Sequence, residues 1–185
     1  MPFNLSTIDL EEMKWANIPD SLIVFDLETT GLNPKKDRIL EIGAIRFVKD
    51  DYRKTGEVDS FQCFIKQSTP IPPKATEING ITDTMVKEGD NEAVAIKAFL
   101  EFAGETPLFA YNAEFDKEFL HEALKRNRMR CTSQQENVEC ILEFARDNLP
   151  EFVRNIPNFK LQTVCQSLDL KTQNTHRPLE TASQP

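Results

Sequence analysis

Residues 22–32 read Leu22-Ile23-Val24-Phe25-Asp26-Leu27-Glu28-Thr29-Thr30-Gly31-Leu32. The first part of this stretch is almost wholly apolar, which suits a central strand covered on both faces. Acid enters only at its carboxyl end, and Thr29 to Pro34 then breaks the strand. Residues 39–47 (ILEIGAIRF) read as a second strand and 61–65 as a third, close enough in sequence for an antiparallel meander. Pro70, Pro72 and Pro73 mark an irregular crossover. Residues 91–103 have helical spacing, with Ala95, Phe99 and Phe102 on one side. Residues 107–111 form a fourth strand. Residues 113–127 are a strong helix with Phe115, Phe119, Ala123 and Leu124 facing inward, and 136–148 are a further helix. Residues 158–168 are another, starting at an Asn158 cap with Leu161, Val164, Cys165 and Leu168 at helical spacing. A last helix begins near His176, with Pro178 acceptable in its first turn. Strands first, then strands alternating with helices, predict an α/β fold: a mixed sheet with helices on both faces.

Composition bounds the rest. The chain has 185 residues, which corresponds to one domain. Residues 1–20 read as an N-terminal extension, with Ser6 and Asp9 capping a short helix and Trp15 packing on the body, and 21–185 as the domain. Leu, Ile, Val and Phe make up 50 residues, above the ~20% below which a highly charged chain stays disordered. No apolar run approaches the roughly 18 residues of a membrane span, and residues 1–15 lack the basic and apolar regions of an export signal. Cys63, Cys131, Cys140 and Cys165 form no CxxC pair, and the two histidines are far apart, which argues against a zinc ribbon or redox dithiol. Reduced thiols in a cytoplasmic protein are the expectation. The formal net charge of −8 argues against a non-specific nucleic-acid coat, which needs a basic footprint. It does not exclude a nucleic-acid enzyme that meets phosphate through bound cations.

Chemistry concentrates at three places. Side chains alternate along a strand, so Asp26 and Glu28 share a face and Leu27 points away. Two carboxylates side by side repel, by up to about 4 kcal/mol at 4 Å in a moderately polar site. A cation between them relieves this, and hard oxygen ligands select Mg²⁺ or Mn²⁺. The bland alternative is a strand running into a solvated acidic turn. Asp116 lies in the first turn of a helix, where acids suit the dipole; Glu114 and Glu118 need no other explanation. Asp116, however, shares its face with Phe119 and Leu120, and an inward carboxylate needs a partner or a metal. His176 sits in an Asn- and Thr-rich stretch where a histidine is ordinarily a loop residue, yet its imidazole can take a proton from water near neutral pH. His121 reads as inert on an exposed helical face. Lys125, Arg126, Arg128 and Arg130 close a helix, where cations suit the dipole; they and Lys35, Lys36 and Arg38 reach phosphate only if they lie near a cleft.

Phe25-Asp26-Leu27-Glu28-Thr29-Thr30-Gly31-Leu32 resembles the first motif of the DEDDh 3′→5′ exonucleases, the family of the proofreading epsilon subunit of bacterial DNA polymerase III. Asn112-Ala113-Glu114-Phe115-Asp116 is similar to the second motif, and His176 with Leu179 and Ala182 to the third. Asn79-Gly80-Ile81-Thr82 and Asn158-Phe159-Lys160-Leu161 also sit where the family has similar stretches. The resemblance runs from about residue 21 to 182 in matching order. It implies a ribonuclease-H-like mixed five-stranded sheet. It implies two divalent ions, Mg²⁺ or Mn²⁺, at Asp26 and Glu28, with Asp116 assisting through water, and His176 as general base. The product implied is a 5′-mononucleotide, released from the 3′ end of single-stranded DNA or RNA. The backbone around Thr29, Thr30 and Leu32 would hold the terminal nucleotide, Leu32 wedging against its base, with Asn79 and Asn112 also lining the substrate site. A DNA polymerase partner follows by analogy only.

Three positions depart from the pattern. The family's fourth acid, five residues after the third-motif His, is Thr181 here. Glu180 lies about 100° away around a helix, with a longer arm that could reach a metal. Pro178 stands where the family usually has Ala, and Asn79 where the epsilon-like members have His. The alternative reading is an exonuclease-fold nucleic-acid-binding or interaction module with impaired catalysis.

Overall fold

A computed structural model describes residues 19–148 and 156–167. The expected N-terminal helix, the last helix, and His176, Glu180 and Thr181 lie outside the described residues.

The apolar run forms β1 (Ser21–Thr29), at the centre of a five-stranded sheet ordered β3-β2-β1-β4-β5. It pairs antiparallel with β2 (Ile39–Val48), which pairs antiparallel with β3 (Asp59–Phe64), as the meander reading expects. On its other side β1 pairs in parallel with β4 (Leu108–Ala110). Alternation along β1 sends Ile23, Phe25 and Leu27 into the core, while Asp26 stays exposed. Two helices contribute to that core: α4 (Glu92–Ala103) through Ala95, Ile96 and Phe99, and α5 (Ala113–Arg126) through Phe119, Leu120 and Ala123. Asn91 caps α4 through its side chain, which accepts from the Val94 N–H at 3.0 Å. Phe99 is fully buried, with its ring 5.3 Å from that of Phe25 and 6.0 Å from that of Phe61. Phe102 is half-buried beneath the Arg46 guanidinium.

A bulge shapes the carboxyl end of β1. Glu28 faces Glu41, but Thr29 faces Ile39, so β2 carries one residue too many there. Four consecutive residues are therefore buried in different directions. Ile39 and Ile42 enter the main core, whereas Leu40 joins a second cluster with Ile71, Ala75, Ile81 and Val86.

The structure corrects several local expectations. An unexpected α1 (Lys49–Thr55) joins β2 to β3, and the crossover after β3 is not irregular throughout, since it holds α2 (Pro73–Asn79) and α3 (Asp83–Val86). Pro73 sits in the first turn of α2, where its missing N–H costs nothing. The helix expected over 136–148 begins only at α7 (Ile141–Asn148), after α6 (Ser133–Glu136). Between them Glu139 and Cys140 form β5, which extends to pair with the open edge of β4. The helix expected from 158 is α8 (Leu161–Ser167). Asn158 instead uses its carboxamide oxygen on the Lys160 N–H and the Thr163 hydroxyl, and Leu161 is exposed rather than inward. His121 is half-buried, and its Nε2 donates to the Gln135 carbonyl at 2.8 Å, tying α5 to α6. All four cysteines are free. Among the described residues no helix is long and apolar enough to cross a membrane.

Replacing Phe99 by Ala removes the ring that joins β1, β3 and α4. We expect a loss of about 3–5 kcal/mol, read as a lower urea midpoint at unchanged slope.

Candidate active site

β4 is only three residues long and pairs with β1 at Ile23 and Val24. Beyond that pairing the Leu27 amide is satisfied by a side chain. Asp116 Oδ1, from the first turn of α5, accepts the Leu27 N–H at 3.0 Å. Leu27 lies between Asp26 and Glu28, so this bond draws the second-motif acid onto the first-motif pair. The Asp116 side chain is inward, as its helical position predicts, and the residue is 4% exposed.

The three carboxylates act on one another. Burial, then the neighbouring charge of Asp26, pushes Asp116 up to about 8, against the Leu27 N–H bond, which favours the anion. Burial also pushes Glu28 up to about 8, with Asp26 and Glu41 adding repulsion and the Asn79 side chain opposing them. Glu41 was not anticipated as part of this site. It is 1% exposed, stands opposite Glu28 across the β1–β2 ladder, and accepts from Gln62 Nε2 at 2.5 Å. Alternation in ILEIGAIRF turns Glu41 away from Ile42 and onto the Glu28 face, but does not show that this face is buried there. The one sequence signal for that burial was an acid inside an otherwise apolar strand.

Asp26, Glu28 and Asp116 form a donor set of hard oxygens whose repulsion a divalent cation would relieve. Among the described residues they are neighbours without being a closed cage: no group of three His, Cys, Asp or Glu side chains there is drawn together as a metal site.

The proposed substrate residues fall into three kinds. Thr29 and Thr30 spend their side chains on the loop. The Thr29 hydroxyl donates to the Gly31 carbonyl at 2.7 Å, and the Thr30 hydroxyl donates to Asp37 Oδ1 while accepting the Arg38 N–H. Asp37 Oδ2 also accepts the Asn33 N–H at 2.8 Å. A Cβ on Gly31 would stand 2.5 Å from that carboxylate, so any side chain there would displace Asp37. Asn79 is buried: its amide donates to the Thr29 carbonyl and its oxygen accepts the Ile81 N–H. It supports Glu28 and the strand end from behind. Leu32 is 84% exposed at the loop tip, and Asn112 is exposed at the start of α5 with no side-chain cap bond.

Comparison with known proteins identifies the family and the fold. The family model for exonucleases of the RNase T type matches residues 23–182. Similar sequences include the PolC-type DNA polymerase III of Caldanaerobacter subterraneus subsp. tengcongensis, 32% identical over 167 residues, covering 90% of this chain and 11% of that protein. The PolC-type enzyme of Clostridium perfringens is 36% identical over 165 residues, covering 88% and 10%. The chain thus spans about a tenth of the length of the curated relatives it matches. Among solved structures, E. coli exonuclease I in complex with a dT13 oligonucleotide superposes with a TM-score of 0.69 at 23% identity, covering 86% of this chain and 38% of that one. That likeness establishes the ribonuclease-H-like fold. With the match extending across its first and second motifs, the chain belongs to the exonuclease family, of the DEDDh 3′→5′ type.

Proposed function

We propose that this chain is a 3′→5′ exonuclease that hydrolyses the terminal phosphodiester of a single strand and releases 5′-mononucleotides. The observation that carries the reading is the Leu27 N–H···Asp116 bond, which sets a third acid against the Asp26–Glu28 pair. Asp26, Glu28 and Asp116 would hold divalent cations, two Mg²⁺ or Mn²⁺ ions. When bound, such cations activate water and stabilise the attacking and leaving oxygens of an in-line displacement. Leu32 presents an apolar surface to the terminal base. The turn around Thr29 and Thr30 is tied by its own hydroxyl hydrogen bonds without substrate, which would lower the entropy cost of orienting the nucleotide. His176 is the proposed base, taking the proton of the attacking water. The relatives are DNA polymerases by name, and exonuclease I was solved with a DNA oligonucleotide, which supports a DNA end as the substrate. A polymerase partner is a proposal by the same analogy.

Thr181 supports a second reading, a nucleic-acid-binding module with impaired catalysis. A hydroxyl carries no charge and is a poor substitute for a ligating carboxylate, unless Glu180 takes its place.

A 5′-labelled single-stranded DNA oligonucleotide with Mg²⁺, and separately Mn²⁺, tests both. The exonuclease yields a ladder shortening from the 3′ end, absent with chelator and in Asp26→Ala, and slowed about 10²–10⁴-fold in His176→Ala. Binding with no ladder, restored by Thr181→Asp, would establish the impaired module instead.

The acids also set a pH dependence in the absence of cations. Glu28 rises from 4.5 and Asp116 from 3.8, each to about 8. Between those limits the folded state binds more protons than the unfolded one, so stability falls as pH rises. Their contribution is complete below the unfolded values and lost on passing through about 8. We expect the melting temperature in chelator to fall from pH 5 to pH 8.5 more steeply for wild type than for Glu28→Gln. Parallel slopes in thermal melts would contradict it.

A further inference from the structure

The loop that carries Leu32 runs from Thr30 to Asp37, and its inner half is held by the Asp37 carboxylate. Its outer half stands away from α5. A cavity of about 480 Å³ opens between Leu32, Asn33, Pro34 and Lys35 on one side and Glu118, His121 and Glu122 on the other. One turn beyond Glu122, Arg126 bridges the gap.

The guanidinium makes three separate contacts. Nη2 donates to Glu92 Oε1 at 2.7 Å, Nε donates to Glu92 Oε2 at 3.3 Å, and Nη1 donates to the Pro34 carbonyl at 3.0 Å. Both charged side chains are less than one-fifth exposed, at 19% and 18%. Asn127 adds a bond from its amide to Glu92 Oε2 at 2.8 Å. One end of the fork is thus fixed to the first turn of α4, and the other grips the loop. Pull on the Pro34 carbonyl passes to Asn33, whose carbonyl accepts the Lys36 and Asp37 amides. Asp37 in turn holds the Thr30 hydroxyl at the strand end. A planar fork is needed for this, because a lysine ammonium cannot pair bidentately with Glu92 and still reach a carbonyl.

We propose that Arg126 is a positioning residue for substrate: it clamps the β1–β2 loop to α4 and α5, so that Leu32 is presented in one place to the terminal nucleotide. The inference rests on the exonuclease reading. The cluster of cations at the end of α5 then divides by role. Arg126 is structural on the inside, and its charge is spent on Glu92 rather than on the helix dipole or on phosphate.

The test joins hydrogen exchange, which needs no activity, to steady-state cleavage of a single-stranded DNA oligonucleotide. Arg126→Gln removes the clamp but leaves Glu92 without its cation. The Arg126→Gln/Glu92→Gln double variant removes both charges and so keeps the experiment readable if the single variant folds poorly. Asn127→Ala weakens the same corner without touching Pro34 and controls for simple destabilisation. In the Arg126 variants we expect faster exchange at the amides of Asn33, Lys36 and Asp37, and a KM raised about tenfold with kcat within about twofold. Asn127→Ala should leave KM and those amides unchanged at whatever cost in melting temperature. Unchanged exchange, or faster exchange with unchanged KM, overturns the clamp. So does a KM that follows melting temperature across all three variants. Wild-type protein that neither binds nor degrades the oligonucleotide overturns the exonuclease reading, and the substrate half of this inference with it.

Discussion

A single hydrogen bond, from the Leu27 amide to the Asp116 carboxylate, joins the central strand β1 to α5 at the candidate site. β1 would otherwise leave that amide open, since β4 pairs with it only near its start. A buried unpaired amide costs about 1–3 kcal/mol. Bringing in a carboxylate removes that cost and creates another, because the acid is now beside Asp26 and Glu28. Shortness of β4, the start of α5 at Ala113 and the inward aim of Asp116 are therefore parts of one solution.

Around this bond the fold gathers carboxyl groups that act on one another. Glu41 presses on Glu28 from the neighbouring strand, and burial raises both Glu28 and Asp116. A purely structural site would gain by replacing one of these acids with an amide. Their place at a strand end, beside a bulge and an exposed apolar tip, is the arrangement that the proposed cation-bridged substrate would use. Rigidity is supplied from behind: Asn79 holds the strand end, Asp37 the inner loop, and Arg126 the outer loop.

Much of this was legible in the sequence because it follows from strong periodicity. The apolar run into Asp26 and Glu28 marks a central strand, and the 3.6-residue spacing of Asp116, Phe119 and Ala123 marks an acid aimed at a core. What was not legible depends on tertiary pairing. Glu139 and Cys140 become a strand only because β4 offers them an edge. The bulge that sets Ile39 rather than Leu40 opposite Thr29 exists only once the two strands pair. Asn79, read as a substrate contact, donates to the Thr29 carbonyl 50 residues away, a bond that only the tertiary fold makes. Arg126, read as a dipole-complementing cation, finds Glu92 and Pro34 at sequence separations of 34 and 92 residues.

The central proposal is that Asp26, Glu28 and Asp116 together hold divalent cations. Calorimetric titration of the metal-free protein with Mn²⁺ at pH 7, in two buffers of different ionisation enthalpy, tests it most directly. The account predicts saturable binding of two ions accompanied by proton release, since Glu28 and Asp116 hold protons at that pH, with both signals lost in Asp26→Ala. No saturable binding, or binding that survives Asp26→Ala unchanged, would contradict it.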